Sequence, residues 1–348
     1  MLLAGCGGGD ESPDGPTFEE VLAAVEGLSG DEAARKLAEL AAQEDGRLSM
    51  YSSLSDEVGT EIADRFAERY DVDVSIYTAN SNVVAQRLSE EAAAGHRGAD
   101  LAELSTTVLI TLARNGVLAK GLPVDTEGID EVVVDESWVA VRHNRFAVSW
   151  NTERVSAGTQ PRRWEDLADP RWNGKLALEL EDHDWYAGLR AHWAEQGKSA
   201  EEIDRLFEDM AQGAKVIKGH SLLGQLTASG EVSVAASNFS HIVDRERLQG
   251  APLRWTPAVE PTFLRAQGMG IVAGARRPAT AALFIQWALT EGQALYAEND
   301  WVPARRMGAA KDDLEQVVLD VKRIAAEEQR WIEEYNRLVR RGTLVAED

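Results

Sequence analysis

RLSMYSSLSDEVGTEIADRFAERYDVDVSIYTANSNVVAQRLSEEAAAGHRGADLAELS, residues 47–105, decides the fold class. Leu48, Met50 and Tyr51 read as a short strand that runs out into small polar residues. Val58, Ile62, Phe66 and Tyr70 recur at helical spacing, so Asp56 to Tyr70 is a helix. Val72, Val74 and Ile76 alternate through a strand from Asp71 to Tyr77. Ser81 starts a second helix carrying Val84, Leu88 and Glu91, Gly95 ends it, and Asp100 to Leu104 is a third strand. Strand, helix, strand, helix, strand is the order of an α/β domain with parallel pairing, because parallel neighbours need a crossover between them.

Working outward, residues 17–43 hold two helices, the first with Thr17 and Glu20 spaced as a capping box. Trp138 to Asn151 is β-rich. A strand at Leu176 to Leu180, helices at Trp185 to Glu195 and Ala200 to Gln212, an extended Val216-Ile217, a helix at Ser221 to Ser229 and a strand at Glu231 to Ala236 form a second α/β lobe inserted into the first. Gly268 to Ala273 returns to strand, and Pro278 to Leu289 and Glu291 to Glu298 are helical. From Lys311 to Arg341 the tail reads as helix, with Leu314, Val318, Val321, Ile324, Trp331, Tyr335 and Leu338 on a face that docks on its own domain.

The chain has 348 residues, enough for two cores, and 44% of them are hydrophobic. No apolar run reaches the roughly 18 residues of a membrane span. A net charge of −23 disfavours nucleic acid as a partner. One cysteine excludes an internal disulfide and any zinc site needing two thiolates from one chain. No P-loop, HExxH or Ser-His-Asp ordering is visible, and the six histidines lack metal-ligand spacing, so catalysis is not expected. His96 and His143 are expected at the surface.

That cysteine is Cys6, and Leu3-Ala4-Gly5-Cys6 resembles a bacterial lipobox, which implies a lipid-modified cysteine. Gly7 to Pro16 then serves as a flexible tether. Only Met1-Leu2 precede the box, so the expectation includes a start or leader further upstream. A disordered terminus that happens to hold a cysteine is the alternative reading.

Seven segments, in order, resemble the extracellular solute-binding proteins of ABC importers, ferric-iron-type branch. They are LAELAAQEDGRLSMYSSLS (37–55), RLSEEAAAGHRGADL (87–101), RHNRFAVSWNTERVS (142–156), PRRWEDLADPRWNGKLAL (161–178), GHSLLGQLTASGEVSVAASN (219–238), GAPLRWTPAVEPT (250–262) and RPATAALFIQWALTEGQALYAENDWVPAR (277–305). The resemblance implies a two-lobed periplasmic-binding-protein (type 2) fold with two crossing strands, near Phe146–Asn151 and Val234–Asn238, plus N-terminal and C-terminal helices. The implied organisation is a lipobox and tether at 1–16, N-terminal helices at 17–46, lobe 1 at 47–145 and 239–305, lobe 2 at 146–238, and a C-terminal helical extension at 306–348. It also implies an extracytoplasmic lipoprotein at the cell membrane, a small-molecule ligand held between the lobes, and ABC permease and ATPase subunits as partners.

The expected site residues lie at strand ends facing the cleft. Ser52 and Ser53, then Ser81, then Ser105 and Thr106 place hydroxyls where helices begin, which suits an anion or equally an N-cap. Arg145 is expected on the crossing strand, either clasping an anion or bridging the lobes. Asp182 stands in the acidic run ELEDHDWY, which can hold a metal or amine or simply be a solvated loop. His220 and Ser221 open a helix, the position where the resemblance places a bound anion, and Asn238 lies at the second crossing.

The resemblance fails at SNFSHIV. Phe239 stands where ferric-binding members carry a tyrosine, and no adjacent tyrosine pair occurs anywhere. The first-strand histidine is also missing from YSSLSDE, and the glutamate expected after the third strand is absent near Ser105. The expected ligand is therefore a small organic or phosphorylated anion, with ferric iron through a non-standard site as a further possibility. No cofactor is expected. A ligand-sensing subunit for a membrane receptor is the alternative role.

Overall fold

The computed structural model describes residues 15–305 and 313–345, so Cys6 lies outside the described residues. The chain begins with α1 (Phe18–Val25) and α2 (Gly30–Ala41), and Thr17 and Glu20 close the capping box on α1. The alternation then runs β1 (Arg47–Ser52), α3 (Asp56–Tyr70), β2 (Asp73–Thr78), α4 (Ser81–Ala93), β3 (Leu101–Ser105) and α5 (Thr106–Arg114). β1 pairs in parallel with both β2 and β3.

β4 (Val139–Asn151) is buried along its whole length. Beyond it come β5 (Leu176–Glu179), α6 (His183–Glu195), α7 (Ala200–Ala211), β6 (Lys215–Ile217), α8 (His220–Ala228) and β7 (Val234–Phe239). β5 is parallel to β6 and β7, giving the second lobe its own sheet. The chain returns through α9 (Ser240–Leu248), β8 (Leu253–Arg254), β9 (Thr262–Ile271), α10 (Pro278–Ala288), α11 (Gly292–Glu298) and β10 (Val302–Pro303).

β4 joins the two sheets. Its first half pairs antiparallel with β9, which also flanks β3, and its second half pairs antiparallel with β7 and β8. The chain is a two-lobed α/β protein with crossing strands, and the ends of β1, β3, β5 and β7 converge on the space between the lobes. The sheet is continuous in the order β12, β6, β5, β7, β4, β9, β3, β1, β2, with β12 described below.

Three expectations change. β9 begins at Thr262, well before Gly268, which brings Arg265 into a strand. His143 is only 3% exposed, because its place on β4 is covered by β9 on one edge and β10 on the other. The tail is not one helix. β11 (Gln316–Val318) pairs in parallel with β9, and then come α12 (Val321–Ala326), α13 (Glu328–Val339) and β12 (Thr343–Val345), which pairs with β6. Val317-Val318 favour strand, and Asp320 caps α12 by accepting the Arg323 N–H, so the helix starts afresh there. The apolar stripe is otherwise as read: Val321, Ile324, Trp331, Tyr335 and Leu338 are buried, and α13 packs against α6 and α7. The fit is close, since a Cβ at Gly188 of α6 would overlap Leu319.

Candidate functional site

A cleft of about 980 Å³ lies between the lobes. On the first-lobe side it is lined by Ser53, Ser55, Ser81, Ser105 and Thr107, all where a strand hands over to a helix. Ser55 and Ser105 occupy the N-cap positions of α3 and α5, yet neither side chain accepts a backbone amide of its helix, and Ser105 Oγ instead meets the Thr107 hydroxyl at 3.4 Å. The first amides of these helices have no intrahelical acceptor, and the helix dipoles add partial positive charge there. Ser81 Oγ accepts the N–H of Ser105 at 3.3 Å, which ties the α4 and α5 starts together.

Ser52 and Thr106 are not on the cleft wall. Ser52 is fully buried and donates to Glu103 Oε2 at 2.8 Å, and Thr106 donates to the carbonyl of Ala266 at 3.1 Å. Along an extended chain successive side chains point to opposite sides, so only one member of each adjacent pair can face the solute.

The same parity moves the cleft arginine. Arg145, expected to clasp the ligand, is absent from the cleft lining and stacks with its guanidinium carbon 5.3 Å from the Trp255 ring centre. Arg142 and Asn144, on the other side of β4, line the cleft instead. Arg142 donates to Glu103 Oε1 at 2.9 Å and to Asn144 Oδ1 at 2.8 Å, and it lies 4.2 Å from the Trp301 ring centre. Glu103 is thus a wholly buried carboxylate on β3, two residues before the place where the resemblance implied one.

The second-lobe wall is acidic. Glu179 at the end of β5, Asp182 at the N-cap of α6 and Asp184 are all buried and line the cleft, as do His220 and Ser221. The Gly219 N–H donates to Glu179 Oε1 at 2.8 Å and the Glu181 N–H to Oε2 at 2.6 Å. Gly219 has φ +94°, a conformation open to glycine, and this turn sets His220 beside the β5 carboxylate. Burial, with the nearby Asp182 charge adding to it, pushes the Glu179 carboxyl up to about 7. Burial and the neighbouring Asp184 also raise Asp182. Burial holds His220 down at about 4, so its imidazole is neutral at pH 7.

Arg265 of β9 is the cation set against this wall, 3.5 Å from Asp184 and 3.9 Å from Asp182. Its guanidinium carbon sits 4.7 Å from the Phe239 ring centre, and Phe239 stacks on His220 at 3.7 Å. The aromatic at position 239 is therefore part of the floor between the lobes. Asn238 is buried behind it, with its Oδ1 accepting the Phe239 N–H, and does not line the cleft. Adjacent residues of a strand face opposite sides, so Phe239 takes the cleft position and Asn238 does not.

Arg142, Glu103 and Arg265 escaped the sequence reading. A signal existed for Glu103 and Arg265, since a charged residue between apolar neighbours on a strand is costly unless it is paired or used.

Two α/β lobes closing on a polar cleft define a solute-binding protein. The chain belongs to the bacterial extracellular solute-binding protein family, whose model matches residues 61–314. It is 28% identical over 268 residues to an uncharacterized protein of Haemophilus influenzae, covering 72% of this chain and 75% of that one. The periplasmic binding protein AfuA from Actinobacillus pleuropneumoniae, solved with exogenous fructose-6-phosphate, is similar in fold, with a TM-score of 0.69, 20% identity, and coverage of 85% of this chain and 99% of that one. Iron-bound HitA from Pseudomonas aeruginosa is similar too, with a TM-score of 0.67, 18% identity, and coverage of 83% and 99%. The family is one of transport proteins that bind their substrates, of the ABC-importer type, and among the described residues no helix is long and apolar enough to cross a membrane.

Proposed function

We propose that the protein captures a small organic or phosphorylated anion that also carries hydroxyl groups, and delivers it to an ABC permease driven by its ATPase. One observation carries this reading. The N-cap side chains of Ser55 and Ser105 accept no backbone amide of their own helices and line one cleft wall together with Ser53, Ser81 and Thr107. Uncapped helix starts and hydroxyls form a donor set that suits an anionic head. Arg142, paired with Glu103, and Arg265, paired with Asp184, line the same cleft and add charged donors to it. The carboxylates across the cleft accept hydrogen bonds from hydroxyls on the rest of the solute. Direct ferric binding is supported less, since Phe239 occupies the floor where a phenolate donor is wanted.

Attachment to the outer face of a membrane through lipid on Cys6 belongs to the same reading, supported by Leu3-Ala4-Gly5-Cys6 and the Gly-rich stretch after it. With its native leader, Cys6→Ser is expected to move the protein from the membrane fraction to the soluble one. Persistence in the membrane fraction counts against the anchor.

The ligand is tested by thermal shift and calorimetric titration with inorganic phosphate, a hexose phosphate, the unphosphorylated hexose and ferric citrate. A phosphorylated ligand at 100 times its Kd is expected to stabilise the protein by about 2.7 kcal/mol. The double variant Ser81→Ala/Ser105→Ala is expected to bind it at least tenfold more weakly. A shift with ferric citrate that phosphate and free citrate do not reproduce would replace the anion with iron.

A further inference from the structure

We propose that Glu179, Asp182 and His220 form a binding site for a divalent first-row transition-metal ion, open towards the cleft. One ligand atom from each of the three lies within 4.8 Å of the others, the only such grouping among the described residues. The donor set is two carboxylates and one imidazole, which suits zinc, cobalt, manganese or ferrous ions. All three line the cleft, so the remaining coordination positions face the solute.

The second observation is Asp182 itself. It stands at the N-cap of α6 but does not cap it, and its side chain is 1% exposed. Neither of its oxygens has a well-aligned donor, although the Ser237 hydroxyl favours its ionised form and Oδ1 lies 3.1 Å from His220 Nε2. A buried carboxylate without aligned donors is expensive to keep, and a cation supplies what it lacks. The cations around it are set on other carboxylates: Lys218 pairs with Glu181 at 3.3 Å, and Arg265 is nearer to Asp184 than to Asp182.

An outer shell is in place. The Gly219 and Glu181 amides fix both oxygens of Glu179, and the Tyr335 hydroxyl donates to the Glu179 carbonyl at 2.5 Å. Contacts of this kind orient metal ligands. The cation also adds to the proposed function. Hydroxyls of the solute can meet these carboxylates directly, and a metal among them gives an anionic oxygen of the solute a partner on the same wall. That consequence rests on the anionic reading of the solute, whereas metal binding does not.

The experiment therefore measures the metal first, without solute. Metal-stripped protein is titrated with Zn²⁺ against a chromophoric chelator, and with Co²⁺ by visible absorption. One Zn²⁺ per chain at micromolar affinity or tighter is expected, together with a Co²⁺ d–d spectrum. Asp182→Asn and His220→Gln are each expected to weaken Zn²⁺ at least tenfold, while Glu61→Gln at the cleft edge leaves it unchanged. A wild-type protein that binds no Zn²⁺ overturns the site, whatever the variants do, and so does equal affinity in folded Asp182→Asn and His220→Gln. Inorganic phosphate is then titrated with and without Zn²⁺. Zn²⁺ binding with no effect on phosphate leaves the metal site standing and removes the coupling to an anionic solute. Tighter phosphate binding with Zn²⁺ supports both.

Discussion

Glu103 and Arg142 meet at 2.9 Å inside the first lobe, with side-chain exposures of 0% and 4%. One edge of the guanidinium reaches the cleft while its other contacts fix it to β3, to Asn144 and to the Trp301 face. Breaking such a pair from one side leaves a buried charge alone, at about 3–5 kcal/mol. Glu103→Gln and Arg142→Met are each expected to lower unfolding free energy by that order in urea titrations. The double variant is expected to recover part of the loss. Strict additivity of the two single losses would mean that the pair is not coupled.

Arg265→Ala is expected to weaken anion binding by tenfold to a hundredfold, as loss of a charge-assisted hydrogen bond worth about 1.5–3 kcal/mol implies. Arg145→Ala is expected to leave affinity within twofold, since Arg145 lies outside the cleft lining and against Trp255. Calorimetric titration of both variants with a hexose phosphate decides it. A large loss in Arg145→Ala alone would return the expected residue to the site.

The α/β order of residues 47–105 was legible because amphipathic helices and alternating strands carry their period in the sequence. The hydroxyl rim was legible for a related reason: strand ends that open helices collect serine and asparagine. What parity decides was not. Arg142 and Arg145 are equally polar and three residues apart, and only the pairing of β4 with β9, with its irregularity between Ala140 and Arg142, sets which one faces the cleft. Glu103 was hidden because its partner lies 39 residues away. The tail stripe was read correctly as apolar, yet the strand at Gln316–Val318 depends on an edge that β9 offers, and no local pattern announces that.

Tyr335→Phe removes the hydroxyl that links α13 to the Glu179 carbonyl, with both groups buried. An unmet buried carbonyl costs about 1–3 kcal/mol. The variant is expected to be destabilised by that order while keeping the ring packed against Tyr186, whose centre is 5.6 Å away. Denaturant unfolding measures the loss. An unchanged midpoint would show that the hydroxyl adds nothing to docking of the C-terminal segment.

His143 gives the pH dependence a definite sign. It is buried on β4 with neither ring nitrogen in a well-aligned hydrogen bond, and burial holds its pKa down at about 4, from an ordinary 6.5. The Val302 and Pro303 carbonyls of β10 and the Asp130 charge act in the opposite direction and Arg142 in the same one, each less than burial. Between pH 4 and 6.5 the unfolded chain binds a proton here that the folded chain refuses. Stability is therefore lost as pH falls through 6.5 towards 4. At about 1.36 kcal/mol per unit, acidifying to pH 5 costs about 2 kcal/mol from this residue alone. His241, also held low by burial, slopes the same way, while Glu179 and Asp182, held high, slope the other way. The test is consequently a difference. Urea unfolding of wild type and His143→Gln is compared at pH 7.5 and pH 5, and the variant is expected to lose about 2 kcal/mol less than wild type across that interval. Parallel pH profiles would place the His143 ring in a wetter environment than its burial between β9 and β10 describes.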